Sequence, residues 1–363
     1  MAKPLRIGVA GAGLLGRLLT WQLSRQGHQV SVFDPATTPS PSFDGQGAAG
    51  FTAAGMLSPL AELDASDPDV AELGWAAIER WQQIVSTLST PHEAPLHFAR
   101  AGSLLVAHGS DGGAARRVLD RIESGARPWP HQPQRLDAPS LHELEPSLHG
   151  SSGPLHAWLL PGEGAICTVG TLKRLQSSAT SAHWHWGHRV TAVRPGELCV
   201  QRPGENVSET LRFDWVVDVR GAGARPDLPV RGVRGEVIWL HAPGMVLHRP
   251  VRLLHPRYRV YLVPRPGDLV IVGASEIESE DRSPPSLRST VELLAAAHSI
   301  APALAEARIL KLDSNLRPAL PDNRPLVHVE SGLTRINGLY RHGWLLAPAL
   351  VDQALAHMEA LIA

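Results

Sequence analysis

Three sets of residues have types and spacings that could do chemistry. Gly11, Gly13 and Gly16 stand as G-x-G-x-x-G, and Asp34 closes the apolar run that follows. Gly11 permits a tight turn, Gly13 lets the backbone approach a pyrophosphate, and Gly16 lets a helix and a strand pack closely. Asp34 can accept hydrogen bonds from a ribose diol, and its charge disfavours a 2′-phosphate. That chemistry is dinucleotide binding; the bland alternative is a glycine-rich turn in an ordinary βαβ unit. The motif does not choose between FAD and NAD. The second set is Leu316-Arg317-Pro318-Ala319-Leu320-Pro321. Proline fixes its own φ and pushes the preceding residue into extended backbone, so Arg317 is held stiffly. It makes either a salt bridge or a rigid contact to an anionic ligand. The third is His183 and His185, alternating with Trp184 and Trp186. No third ligand accompanies them, so a strand period is the better reading and no metal is expected.

The surrounding pattern supplies elements to place these residues. Leu5 to Ala10 reads as a buried strand. Leu14, Leu15, Leu18, Leu19 and Leu23 recur at helical spacing, and Gln29 to Phe33 forms a second strand. The run "GQGAAGFTAAGMLSP" (45–59) concentrates small side chains, which suit either a loop or close approach to a flat ligand. Residues 68–90 are helical, with Val70, Leu73, Ala77, Trp81, Ile84 and Leu88 on one face. A strand (103–109), helices after it, a helix from 168 and a buried strand running into Gly221 follow. Residues 235–243 and 258–276 read as antiparallel strands, with Pro264 to Gly267 as a hairpin turn. A helix broken at Pro302 comes next. Tyr340-Arg341-His342, between Gly338 and Gly343, is a turn opening the last helix.

Composition narrows the function classes. Lys+Arg number 34 against 35 Asp+Glu, which offers no basic stripe for nucleic acid. No apolar run is expected to span a membrane, and no signal peptide is evident. Two cysteines, Cys167 and Cys199, are too few for a disulfide framework and fit a reducing cytoplasm. The length suggests two domains or one large one.

Seven segments carry a family pattern in order: "GVAGAGLLG…VFDP", "TAAGMLSP", "VVDVRGAGARP", "RGVRGEVI", "YLVPRPGDLVIVGASE", "LRPALPDNRPLV" and "GLYRHGWLLAPAL". The chain resembles the D-amino-acid-oxidase-like flavoenzymes, and within them glycine oxidases of the thiamine-biosynthesis type. The resemblance implies an α/β (α+β overall) fold, a Rossmann-like FAD-binding domain interleaved with an antiparallel-sheet substrate domain. Residues 1–90, 151–230 and 311–363 would form the first, and 91–150 and 231–310 the second. FAD would be held non-covalently. Gly11, Gly13, Leu14, Leu15 and Gly16 would lie at the pyrophosphate and Asp34 at the ribose. Ala49, Gly50, Ala54, Gly55 and Met56 would follow the isoalloxazine, and Val190 would meet the adenine. Leu339, Tyr340, Arg341, His342, Gly343, Trp344 and Leu345 would wrap the pyrimidine side.

By the same resemblance Arg317 clamps the substrate carboxylate, with Tyr261 as its partner, while Met56, Glu276 and Arg341 border the reacting atoms. The implied reaction is oxidative deamination of a small amino acid. Hydride passes from Cα to flavin N5, the imine hydrolyses to an oxo acid and ammonia, and oxygen returns as hydrogen peroxide. No side-chain base is required, and His342 is expected to cap the turn. Two positions depart from better-known members. Leu339 replaces a histidine, and Glu276 stands where some carry an apolar residue, bearing on strict glycine specificity. A homo-oligomer is implied; no nucleic acid or membrane partner is. Rival readings are an FAD-dependent D-amino-acid dehydrogenase, a sarcosine-oxidase-like enzyme, a non-catalytic flavoprotein and an NAD-dependent dehydrogenase.

Overall fold

The computed structural model describes residues 3–90, 93–124, 128–151, 153–255 and 259–363. Met1, Ala2, Gly125 and Tyr258, which expected segments included, lie outside the described residues. The strand Arg6–Ala10, the helix Leu14–Arg25 and the strand Gln29–Asp34 form where the apolar periods place them. The two strands pair in parallel, with Ile7 and Val30 buried. They sit inside a six-stranded sheet, in the order Leu326–Glu330, Leu333–Asn337, Trp215–Asp218, Arg6–Ala10, Gln29–Asp34, His183–Trp186. All its pairs are parallel except the outer hairpin of Leu326–Glu330 with Leu333–Asn337. The histidine–tryptophan strand is thus its edge. His185 stacks on Phe33 at 4.5 Å, and Trp184 on Trp186 at 5.6 Å.

A second sheet has eight strands, largely antiparallel. Their order is Arg308–Ala319, Arg231–His241, Leu269–Gly273, Arg259–Arg265, Val251–Leu254, Ser103–His108, Leu155–Leu160, Gln134–Leu136. One face is covered by the helix Leu287–Ile300 through Leu293, Ala297 and Ile300. On the other, Val237, Val263 and Ile271 meet Ala54 and Met56. The functional cavity lies on that second face, between the sheets.

The structure moves several expected boundaries. Leu155–Leu160 and residues 311–319, which the resemblance groups with the FAD-binding segments, belong to strands of the eight-stranded sheet. Position 311 falls inside one continuous strand because Arg231–His241 supplies a pairing partner along its length. Pro264 is no turn residue: it pairs with Val270, and the turn lies at residues 266–268, where Gly267 and Asp268 take φ of 79° and 57°. The neighbouring strand ends at Val251 opposite Leu262, so Pro264 has no ladder hydrogen bond to lose on that side. One stretch, Tyr340–Ile362, is long and apolar enough to cross a membrane, contrary to expectation. Here much of its apolar surface is core: Trp344, Leu345, Leu346 and Leu350 are buried, and Trp344 stacks on Trp81 of the helix Pro68–Leu88, while Leu361 and Ile362 at its end are exposed.

Candidate active site

A cavity of about 850 Å³ runs between the sheets. At one end lies the glycine motif. Gly11 has a φ of 103°, and a Cβ there would lie 2.8 Å from the Val219 carbonyl oxygen. Gly13 is the N-cap of the first helix and brings no side chain to it, so the first-turn N–H groups face whatever anion enters. Leu14 and Leu15 line the cavity; Gly16 does not, and instead packs against Gly11. Asp34 accepts from the Ala12 N–H at 2.6 Å and the Ala36 N–H at 2.8 Å. Burial pushes its carboxyl up against those bonds and nearby Arg17. Each carboxylate oxygen keeps a lone pair for a ribose hydroxyl. Val190 also lines the cavity, and its carbonyl accepts from Arg220 at 3.2 Å.

Arg17 is a residue the sequence reading missed. It is buried, donates to the carbonyls of Ala12, Leu172 and Pro39, and packs over Phe51 and Trp186. It staples the loop after Asp34 to the motif. Its position straight after Gly16 was the available signal.

The middle of the cavity is made of small residues. Gly55 has a φ of 68°, and a Cβ there would lie 2.3 Å from the Ile166 carbonyl oxygen. Ala49, Gly50, Ala54 and Met56 line the same wall, and Leu339 to Leu345 line the cavity as well. The Trp344 indole donates to the Gly50 carbonyl at 3.0 Å, tying the two segments together. A flat ring system fits between walls of this kind.

The far end is rich in charge. Arg317, Tyr261, Glu276, Met56 and Arg341 all line it, as the sequence reading grouped them. Arg317 sits in a strand rather than a loop. It donates to the Arg234 carbonyl at 3.3 Å and the Ser275 carbonyl at 3.0 Å. No ion pair engages it among the described residues, which removes the salt-bridge alternative there. Glycines make room for it and its neighbour. A Cβ on Gly235 would lie 2.4 Å from Arg317 Nη2, and one on Gly273 2.7 Å from the Tyr261 hydroxyl. Burial raises the Tyr261 phenol, with Arg317 opposing, so it stays an O–H donor.

Glu276 is exposed and already paired: Arg341 Nη1 lies 3.1 Å away, and Tyr340 hydrogen-bonds to it. Burial and Glu276 push Tyr340 up to about 12. His342 is the N-cap residue of the last helix, but its side chain makes no cap, contrary to expectation. Its Nε2 lies 3.1 Å from Ser66 Oγ and its Nδ1 3.4 Å from Glu62 Oε2. Burial lowers it to about 4, so the imidazole is neutral.

Glu62 and Arg252 are further omissions. Burial alone would raise Glu62, but Arg252 at 2.5 Å, Arg341 at 3.1 Å and His342 outweigh it and hold the carboxyl far below its usual range. Both residues sit in apolar runs, "SPLAEL" and "VRLL", where an isolated charge was the signal.

Beneath them Glu163 is fully buried. It accepts from the N–H groups of Leu60 (2.6 Å) and Ala61 (3.3 Å) and from Ser103 Oγ (2.5 Å). Burial raises it from 4.5 to about 7 despite these bonds. A raised carboxyl contributes stability that is complete below the unfolded pKa and is lost as pH rises through the folded one. Glu163→Gln therefore gains on the wild type between about pH 4.5 and 7, by at most about 3 kcal/mol. Thermal melts at pH 5 and pH 8 check this: the variant's relative Tm rises with pH, and a pH-independent difference would refute the assignment.

Comparison with known proteins agrees with this geometry. The family described as DAO, FAD dependent oxidoreductase, matches residues 6–357. A Rhizobium etli protein described as a putative thiamine biosynthesis oxidoreductase ThiO is 37% identical over 350 residues, covering 96% of this chain and 95% of that one. The crystal structure of glycine oxidase from Geobacillus kaustophilus superposes with a TM-score of 0.81 at 24% identity, over 99% of this chain and 94% of that one. Iminodiacetate oxidase from Chelativorans sp. BNC1 gives a TM-score of 0.82 at 23% identity, over 98% and 95% of the two chains. The chain belongs to the DAO family of FAD-dependent oxidoreductases. The glycine cradle, the bare helix N-terminus and the small-residue wall fit that cofactor.

Proposed function

We propose that the protein oxidises glycine or another small amino acid to the oxo acid, ammonia and hydrogen peroxide. Arg317 carries the reading: a cavity-lining guanidinium, set rigidly in a strand, bound to two carbonyls and to no carboxylate among the described residues. Guanidinium and carboxylate pair bidentately, which fixes direction as well as adding affinity. Tyr261 donates its hydroxyl to the same carboxylate. FAD supplies the hydride acceptor and the route to oxygen. The six-stranded sheet serves as the cofactor half and the eight-stranded sheet as the substrate half.

Local charge supports a substrate with one carboxylate. Arg252, Arg259, Arg317 and Arg341 face Glu62, Glu276 and Asp64, the last paired with Arg259 at 3.4 Å. One positive charge is left over, and a single carboxylate with a neutral amine cancels it. The surplus cation also disfavours an ammonium, so the amine loses its proton without a side-chain base. Glu276 is spent on Arg341 and Tyr340, which weakens its claim on a second amine. The names of the Rhizobium and Geobacillus relatives support the substrate class and a place in thiamine biosynthesis. Two unpaired cysteines suit a cytoplasmic setting.

The test is anaerobic. The yellow protein is mixed with glycine, sarcosine and a panel of D-amino acids. Bleaching by the small amines, reversed by air with peroxide formed, is the expected result. Faster bleaching by D-lysine would overturn the small-substrate reading, and no bleaching by any of them would remove the function given to Arg317. Bleaching that air does not reverse would indicate a dehydrogenase.

A further inference from the structure

Resting on that reading, we propose that Glu62 is a positioning residue that fixes the Arg341 guanidinium over the reacting site. Arg341 is gripped from two sides. Its Nε lies 3.1 Å from Glu62 Oε2 and its Nη1 3.1 Å from Glu276 Oε2. The Glu276 contact is a hydrogen bond, whereas Glu62 Oε2 accepts none among the described residues and holds Arg341 as an ion pair; together they keep the guanidinium between two carboxylates and leave N–H donors for a ligand in the cavity it lines. The two grips differ in kind. Glu276 is exposed, with 40% of its side chain accessible, and it is shared with Tyr340. Glu62 is shielded, with 12% of its side chain accessible, and its other oxygen is held by Arg252 at 2.5 Å.

Glu62 is itself held from behind. It ends the short helix Pro59–Glu62, whose Leu60 and Ala61 N–H groups bind the buried Glu163. Arg252 closes the same unit by donating to the Ala61 carbonyl at 2.7 Å. Arg341, by contrast, follows Tyr340, a non-glycine residue with a φ of 50°. Such a backbone persists only where its surroundings over-determine it. The turn that carries Arg341 therefore depends on its side-chain anchors, and the rigid one is Glu62. Arg317 makes no hydrogen bond or ion pair with Glu62 among the described residues and is held by its own two carbonyls, so the carboxylate clamp does not lean directly on Glu62.

A double-mutant cycle tests this, using Glu62→Gln, Arg341→Gln and the pair, with the amino acid that reduces the wild-type flavin fastest. Glu62→Gln is expected to slow anaerobic flavin reduction roughly tenfold or more while the apparent substrate Kd changes less than about threefold. In the Arg341→Gln background the same change is expected to cost less than about twofold. Effects that multiply, or a Glu62→Gln reduction rate within twofold of wild type, would overturn the proposal. Should Glu62→Gln lose FAD because Arg252 is stranded, Glu62→Asp decides. It keeps the charge but falls one methylene short of Arg341, so slow reduction at an unchanged Tm supports positioning and a full rate refutes it. A wild type that no amino acid reduces would sink the functional reading instead, and with it this one.

Discussion

Replacing Arg317 by alanine leaves a yellow protein that small amino acids reduce about a thousandfold less efficiently. Truncating one partner of a buried charge pair costs about 2–5 kcal/mol, and about 4 kcal/mol is a factor of a thousand. The loss falls on kcat/KM because the pair both binds the substrate and sets its Cα against the flavin. FAD retention is expected to be unaffected, since the proposed nucleotide site lies around Gly11, Leu14 and Asp34, away from Arg317. Arg317→Lys recovers only part of the activity: a lysine keeps the charge but not the planar fork. Millimolar guanidinium restores some turnover to the alanine variant and none to the lysine variant, whose side chain still fills the space. Stopped-flow reduction with glycine measures all three. A reduction efficiency within tenfold of wild type for the alanine variant would show that Arg317 is structural.

What the sequence revealed and what it hid divide along a physical line. The βαβ unit was legible because its glycines, its leucine period and Asp34 are local signals within one stretch of chain. The extended backbone at Arg317 was legible because Pro318 restricts the residue before it. The strand at Arg308–Ala319 was harder to assign to a sheet, since its partner Arg231–His241 is set by long-range pairing. The same holds for Leu155–Leu160, which joins Ser103–His108 across two intervening helices and a strand. The cluster of Glu62, Arg252, Arg341 and His342 brings three segments together, and no spacing rule links them. Glu276 was named from the sequence, but its pairing with Arg341 and Tyr340 appears only in three dimensions. Gly235 and Gly273 are clearest of all. Each sits in a motif, "RGEV" and "VGAS", and each is small because Arg317 or Tyr261 occupies the space a Cβ would need.

Gly16→Ala tests the same logic where backbone meets backbone. A Cβ on Gly16 would lie 1.8 Å from the Gly11 carbonyl oxygen, far inside contact distance. No flexible side-chain end is there to move aside; the first helix must back away from the strand that carries Gly11. Its N-terminal N–H groups are the proposed phosphate donors, so they would retreat from the cofactor as it does. Overpacking of this kind costs about 1–3 kcal/mol, and at the upper end FAD binds roughly a hundredfold more weakly. The purified variant is then expected to be largely colourless and to regain yellow only with excess FAD. Gly113→Ala is the control. It also lies in a helix, Gly112–Ser124, but a Cβ there meets nothing within 4 Å. That variant is expected to keep its flavin and gain about 0.5–1 kcal/mol of stability from lower backbone entropy in the unfolded chain. Flavin content by absorbance and FAD titration of the apoprotein separate the two. A Gly16→Ala protein as yellow and as tight for FAD as wild type would mean the helix packs less closely on Gly11 than this structure has it, and the anion site would need another source of precision.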